Sequence, residues 1–278
     1  MRSLAEFIMK GRRQAIVAVV LTSAVPPIYF LSPVIIGLVI LRRGVNEALV
    51  LLLAAMLAMA LWTVYPSMVM DQQANLMPYV LLILVSGLAV VLRTTQSWQL
   101  TVLLTALVGL GFELYLRLQP MAVDALVTQL DQLMAQNGAA NSVARDQLVA
   151  LIAMIQTVMA LLLLIWSRWL QAILYNPGGF RQEFHSLRIE NKAALLLALM
   201  LLLSGLGVLL PETWYGYFSI PLMVAGVGLV HGTVALKHMS PLWLFAFYLV
   251  FPVINQLLVL LALADSWYDF RKQMRNAS

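Results

Sequence analysis

The stretch RRQAIVAVVLTSAVPPIYFLSPVIIGLVILRRGVNE, residues 12–47, decides how the rest of the chain is read. Residues 14–41 carry no charge, yet Pro26, Pro27 and Pro33 interrupt them. A helix through all of them would cross a bilayer once. A break at the prolines would give two short elements returning to the side they left. The prolines lack N–H donors, so a turn there strands no donor at those positions. Half-segments of about 12–14 residues reach only about 18–21 Å as helix, against a hydrocarbon core of about 30 Å. Such elements persist at membrane depth only when shielded by protein or lining a cavity.

Basic residues separate the two readings. If 14–41 and 240–264 each cross once from a cytoplasmic N-terminus, the 17 lysines and arginines divide almost evenly between the two sides. If both segments leave and return, Arg117 and Arg145 alone face outward. That asymmetry is what basic residues in cytoplasmic loops produce. Two short elements are therefore expected at 14–41. For 240–264, where Pro252, Asn255 and Gln256 sit in FYLVFPVINQL, a single crossing still leaves an acceptable bias, and both forms stay open.

The whole chain follows this pattern. Of 278 residues, 62% are hydrophobic and 10% charged, against about 25% charged in a soluble domain. Continuous apolar runs, rather than alternating ones, exclude a β-barrel. The expected fold is all-α: a polytopic transmembrane bundle forming a single integral membrane domain over 1–278. Its segments fall at about 14–26, 28–41, 46–65, 76–92, 97–116, 148–168, 192–210, 217–236 and 240–264. Rings at Trp62, Trp98, Tyr115, Trp166, Trp214 and Trp267 mark segment ends, as interfacial aromatics do. The N-terminal region reads as a retained anchor, because its basic part is long and more membrane-grade sequence follows.

Two loops stand out. Residues 118–147, expected outside the cytoplasm, place Val123, Leu126, Val127, Leu130, Leu133 and Met134 at helical spacing, an amphipathic pattern. The cytoplasmic loop 170–191 holds YNPGGFRQEFHSLRIEN. Asn176, Pro177, Gly178 and Gly179 spell a turn. Phe180, Arg181, Glu183, Phe184 and Arg188 then read either as a short interfacial helix or as a docking surface for a protein partner. The C-terminal ALADSWYDFRKQMR offers the same two readings, anchor or docking surface, through Asp265, Trp267, Asp269 and Arg271.

Within the membrane, Glu113 and Arg117 are spaced to pair on one helix face. Glu113, Asn255 and Gln256 are candidates for lining a ligand cavity, intramembrane polar groups being expensive unless functional. His231 lies between Gly228 and Gly232, a spacing that favours close helix packing with a hydrogen-bonded histidine. No catalytic residues, metal ligands or cofactor are expected: GxSxG, HExxH and Asp-rich motifs are missing, and the chain has 3 histidines and 0 cysteines. The net charge of +5 is read as topological; no basic cluster interleaved with aromatics suggests nucleic acid.

The broken first hairpin ending in LRRG, the LYNPGGFRQEF loop and the terminal DSWYDFRK resemble the YybS-like bacterial membrane proteins. That resemblance implies kinship with the S components of energy-coupling-factor transporters and with the rod-shape protein MreD. It implies an S-component-like fold with extra helices, in the bacterial inner membrane; the placement of both termini in the cytoplasm comes instead from the distribution of basic residues. Two functions follow as expectations: a substrate-binding subunit of a small-molecule transporter, partnered by a transporter module, or an envelope scaffold partnered by other membrane proteins.

Overall fold

The computed structural model describes residues 2–64, 76–119, 123–124, 127–128, 132 and 145–276. Among them there is no strand; the elements are helices. They are α1 (Arg2–Lys10), α2 (Arg12–Ala24), α3 (Leu31–Arg43), α4 (Val45–Val64), α5 (Leu76–Thr95), α6 (Trp98–Arg117), α7 (Arg145–Tyr175), α8 (Gly179–Ser186), α9 (Asn191–Gly205), α10 (Tyr215–Leu236), α11 (Leu242–Tyr268) and α12 (Phe270–Asn276). Six of these, α4 to α7, α10 and α11, are long and apolar enough to cross a membrane. The protein is a multi-pass, all-α membrane protein. All nine expected segments coincide with helices, three of them (α2, α3 and α9) short.

The chain packs as two compact units, residues 1–96 with 107–178, and residues 97–106 with 179–278. In the first unit, the opening question has a direct answer. A 3-10 turn at Pro26–Ile28 separates α2 from α3, and the two helices pack against each other. Ser32 Oγ is hydrogen-bonded at 2.8 Å to both Thr22 and Ser23, closing the turn end. At the open end, Arg43 Nη2 donates to Met9 O at 2.6 Å, so the end of α3 is tied to α1, just before α2 begins. Residues 32–41 of α3 are all buried, among α2, α4, α5 and α7. Gly37 permits the closest approach: a Cβ there would stand 2.6 Å from Ser167 Oγ. Of the two short elements, α3 is enclosed by other helices, whereas α2 is half-covered and leaves Val17 and Leu21 exposed.

In the second unit, α11 is one continuous helix, with no break between two segments, yet it also returns. Its partners run down α10 and then up again. Trp243 shares a cavity with Met239. The Tyr248 hydroxyl meets His231 Nε2 at 2.9 Å, and Leu258 backs onto Gly226. Beyond the end of α11, Arg271 lies against Gly232. A straight helix would hold Trp243 and Tyr268 about 38 Å apart, whereas Trp243 and Phe270 line one cavity. The bend falls at Pro252, which has no N–H for the helical ladder. Asn255 Nδ2 donates to the Pro252 carbonyl at 2.7 Å, a local contact one turn on at the bend.

Of the expected amphipathic helix after residue 118, Val123, Asp124, Val127, Thr128 and Gln132 are described. All are helical, with Val123 buried and Asp124, Thr128 and Gln132 exposed. The remainder of that stretch lies outside the described residues.

Candidate functional site

Polar and cavity-forming groups of the second unit gather around the last third of α10. The turn that leads there begins at Gly178, whose φ of +86° favours glycine. From Gly179 the chain forms α8 and lays it on α10. A Cβ at Gly228 would sit 2.5 Å from Phe184 O, and one at Gly232 would sit 3.0 Å from His185 O. The two glycines therefore accommodate the carbonyl end of α8. Aromatic contacts continue the attachment: Trp98 to Phe180 at 5.9 Å, Phe180 to Phe184 at 5.7 Å, Phe184 to His231 at 5.8 Å, and His231 to Tyr248 at 5.8 Å. Trp98 Nε1 also donates to Glu183 Oε2 at 3.0 Å.

An ion pair completes it. Asp265 at 2% and Arg271 at 5% exposure are buried together. Asp269, in the left-handed conformation, turns the chain between α11 and α12. Asp265 Oδ1 accepts from the Phe270 N–H at 2.9 Å, and Arg271 Nη2 donates to Asp265 Oδ2. Arg271 Nη1 reaches His185 O at 2.7 Å and Leu187 O at 2.9 Å. Its charge and donors are thereby compensated, the condition under which a buried pair holds rather than disrupts. Arg188 pairs with Asp269 at 2.9 Å on the same side.

Two cavities flank this arrangement on opposite faces of α10 and α12. One, of about 660 Å³, has the charged or polar side chains His185, Arg188, Asp269, Arg271 and Arg275 in its walls beside Ala235 and Leu236. Burial and the nearby Arg181, His231 and Arg271 hold the His185 imidazole below its ordinary value of 6.5. The other, of about 670 Å³, is apolar. Trp243, Ala246 and Phe247 from the first arm of α11 face Leu261 and Phe270 from its return, with Thr233 and Gln273 as polar groups.

The candidates taken from sequence are distributed as follows. Asn176, Pro177 and Gly178 are exposed at the turn, and Gly179 is buried. Phe180 and Phe184 are half-buried on their own chain, as is Glu183; Arg181 is exposed. Asp265 and Arg271 are internal, while Trp267 is 48% exposed. Glu113, in the first unit, is fully buried; its Oε1 accepts from Arg117 Nε at 3.0 Å and Nη2 at 2.7 Å, and Arg117 Nη1 lies 3.2 Å from Asp146. Asn255 and Gln256 belong to the second unit. Gln256 Oε1 accepts from the Tyr215 hydroxyl at 2.7 Å and borders a smaller groove of about 380 Å³. Among the described residues no cluster of histidine and acidic groups is suited to hold a metal ion.

Sequence reasoning passed over the Asp265–Arg271 pair and the His231–Tyr248 bond. The first is six residues apart, outside ordinary helical spacing. The second was legible only as a histidine needing some partner. Compared with known families, curated proteins and solved structures, the chain shows no match.

Proposed function

We propose that this membrane protein captures a small, largely apolar molecule in its second unit, serving as the substrate-binding subunit of a transporter. The observation that carries this reading is the cavity of about 670 Å³ between the two arms of α11 and the face of α10. Its size falls in the range of about 300–1,000 Å³ usual for small-molecule sites, and its few polar groups among apolar walls follow their usual chemistry. The S-component resemblance supports the same reading, with Lys10–Arg13 and Arg42–Arg43 on the cytoplasmic side of a bacterial inner membrane. An envelope scaffold gives no reason to keep such a cavity open.

Mass spectrometry of protein purified in mild detergent tests this. The wild type is expected to carry a defined small molecule besides bulk lipid. Ala246→Trp, which fills the cavity from one arm, is expected to reduce its retention about tenfold at unchanged melting temperature. Equal retention by Ala246→Trp, or bulk lipid alone on the wild type, overturns the reading.

A further inference from the structure

We propose that the basic end of the first unit is a binding surface for acidic phospholipid headgroups, with α1 lying in the bilayer interface. The inference is independent of the cavity in the second unit.

α1 has 9 residues, about 14 Å of helix, and is too short to cross. It buries Ala5, Ile8 and Met9 against the rest of the unit. At 100° per residue, its remaining surface divides into two flanks. Leu4 at 48% and Phe7 at 42% exposure occupy one. Arg2, Glu6 and Lys10 occupy the other, with Arg2 Nε 2.9 Å from Glu6. Such a helix meets hydrocarbon on one flank and water on the other when it lies flat at the membrane surface.

The hairpin then gathers cations around it. Arg43 is tied to Met9 O, and Arg93 Nη1 donates to Ile40 O and Leu41 O, both at 2.8 Å. Arg42 stacks over Tyr175 at 4.2 Å. These arginines are fixed by the fold, whereas Lys10, Arg12 and Arg13 are exposed beside them. The described acids on α1 to α5 are Glu6, engaged by Arg2, and Glu47, 4.0 Å from Arg12. Positive charge therefore dominates this end. Lys10, Arg12 and Arg13 stand where headgroup phosphates would lie if Leu4 and Phe7 enter the acyl boundary. A basic side chain near an anionic surface contributes on the order of 1 kcal/mol.

The test uses full-length protein in detergent, titrated with phosphatidylglycerol or phosphatidylcholine and followed by native mass spectrometry. The wild type is expected to prefer phosphatidylglycerol by about tenfold or more, and the triple variant Lys10→Gln, Arg12→Gln, Arg13→Gln to lose that preference. Raising salt from about 0.1 M to about 0.5 M is expected to weaken the wild-type preference, a readout that needs no variant. Inorganic phosphate is expected not to displace the lipid. Equal binding of the two lipids, an unchanged preference in the triple variant, salt-insensitivity or full displacement by phosphate would each overturn the proposal.

Discussion

Both units contain a charge-poor stretch turned back at proline, and the two have opposite fates. In the first unit, α3 is enclosed by α2, α4, α5 and α7, and residues 32–41 are buried without exception. In the second, α11 has α9 and α10 as principal partners, and only 17% of its most apolar window is buried. The first turn is sealed by hydroxyls at Thr22, Ser23 and Ser32. The second is braced by Asn255 at the bend and by the Asp265–Arg271 pair at the returning end. Proline sets the turn; the number of neighbouring helices decides whether it closes into core or opens into a cavity.

The largest expected effect concerns that returning end. Arg271→Met leaves Asp265 buried without its cation and should destabilise the protein by about 3–5 kcal/mol, measured by denaturation in mild detergent. Combining it with Asp265→Asn should recover more than half of the loss. If the single variant is harmless, the ion pair does not hold the second bend. Next comes Gly37→Leu, which forces a side chain into Ser167 and should cost about 1–3 kcal/mol. A neutral result would mean that the first hairpin is as loosely enclosed as α11, and the contrast would fail.

The smallest effect is a pH dependence confined to the second unit. His185 titrates below its ordinary 6.5 in the folded protein, first through burial and then through its positive neighbours. The unfolded chain therefore takes up the proton first, so this contribution is complete above pH 6.5 and is lost as the pH falls below it. Between about pH 7.5 and about pH 5.5, the wild type should lose more melting temperature than His185→Gln. An identical loss in both proteins would remove His185 from the account.

Much of this comparison was legible beforehand. The nine segments follow from apolar length, and the first hairpin follows from asking which fold puts Lys10–Arg13 and Arg42–Arg43 together. Glu113 and Arg117 form the pair their spacing announces. What could not be read depends on elements far apart in sequence. Gly228 and Gly232 fit a helix-packing motif, yet they face the carbonyls of α8. Phe180 and Phe184 carry a pattern that serves a partner or the chain itself, and only the positions of Trp98 and His231 show which rings they meet. The Asp265–Arg271 pair requires the left-handed turn at Asp269, a conformation that asparagine and aspartate tolerate but that no motif announces.

The enclosure of α3 also constrains the order of biogenesis. One of the helices that covers it, α7, is synthesised only after α6. Until α7 leaves the ribosome, α3 is sheltered by α2, α4 and α5 alone and one side of it stays uncovered, so its final enclosure must wait for a part of the protein that does not yet exist.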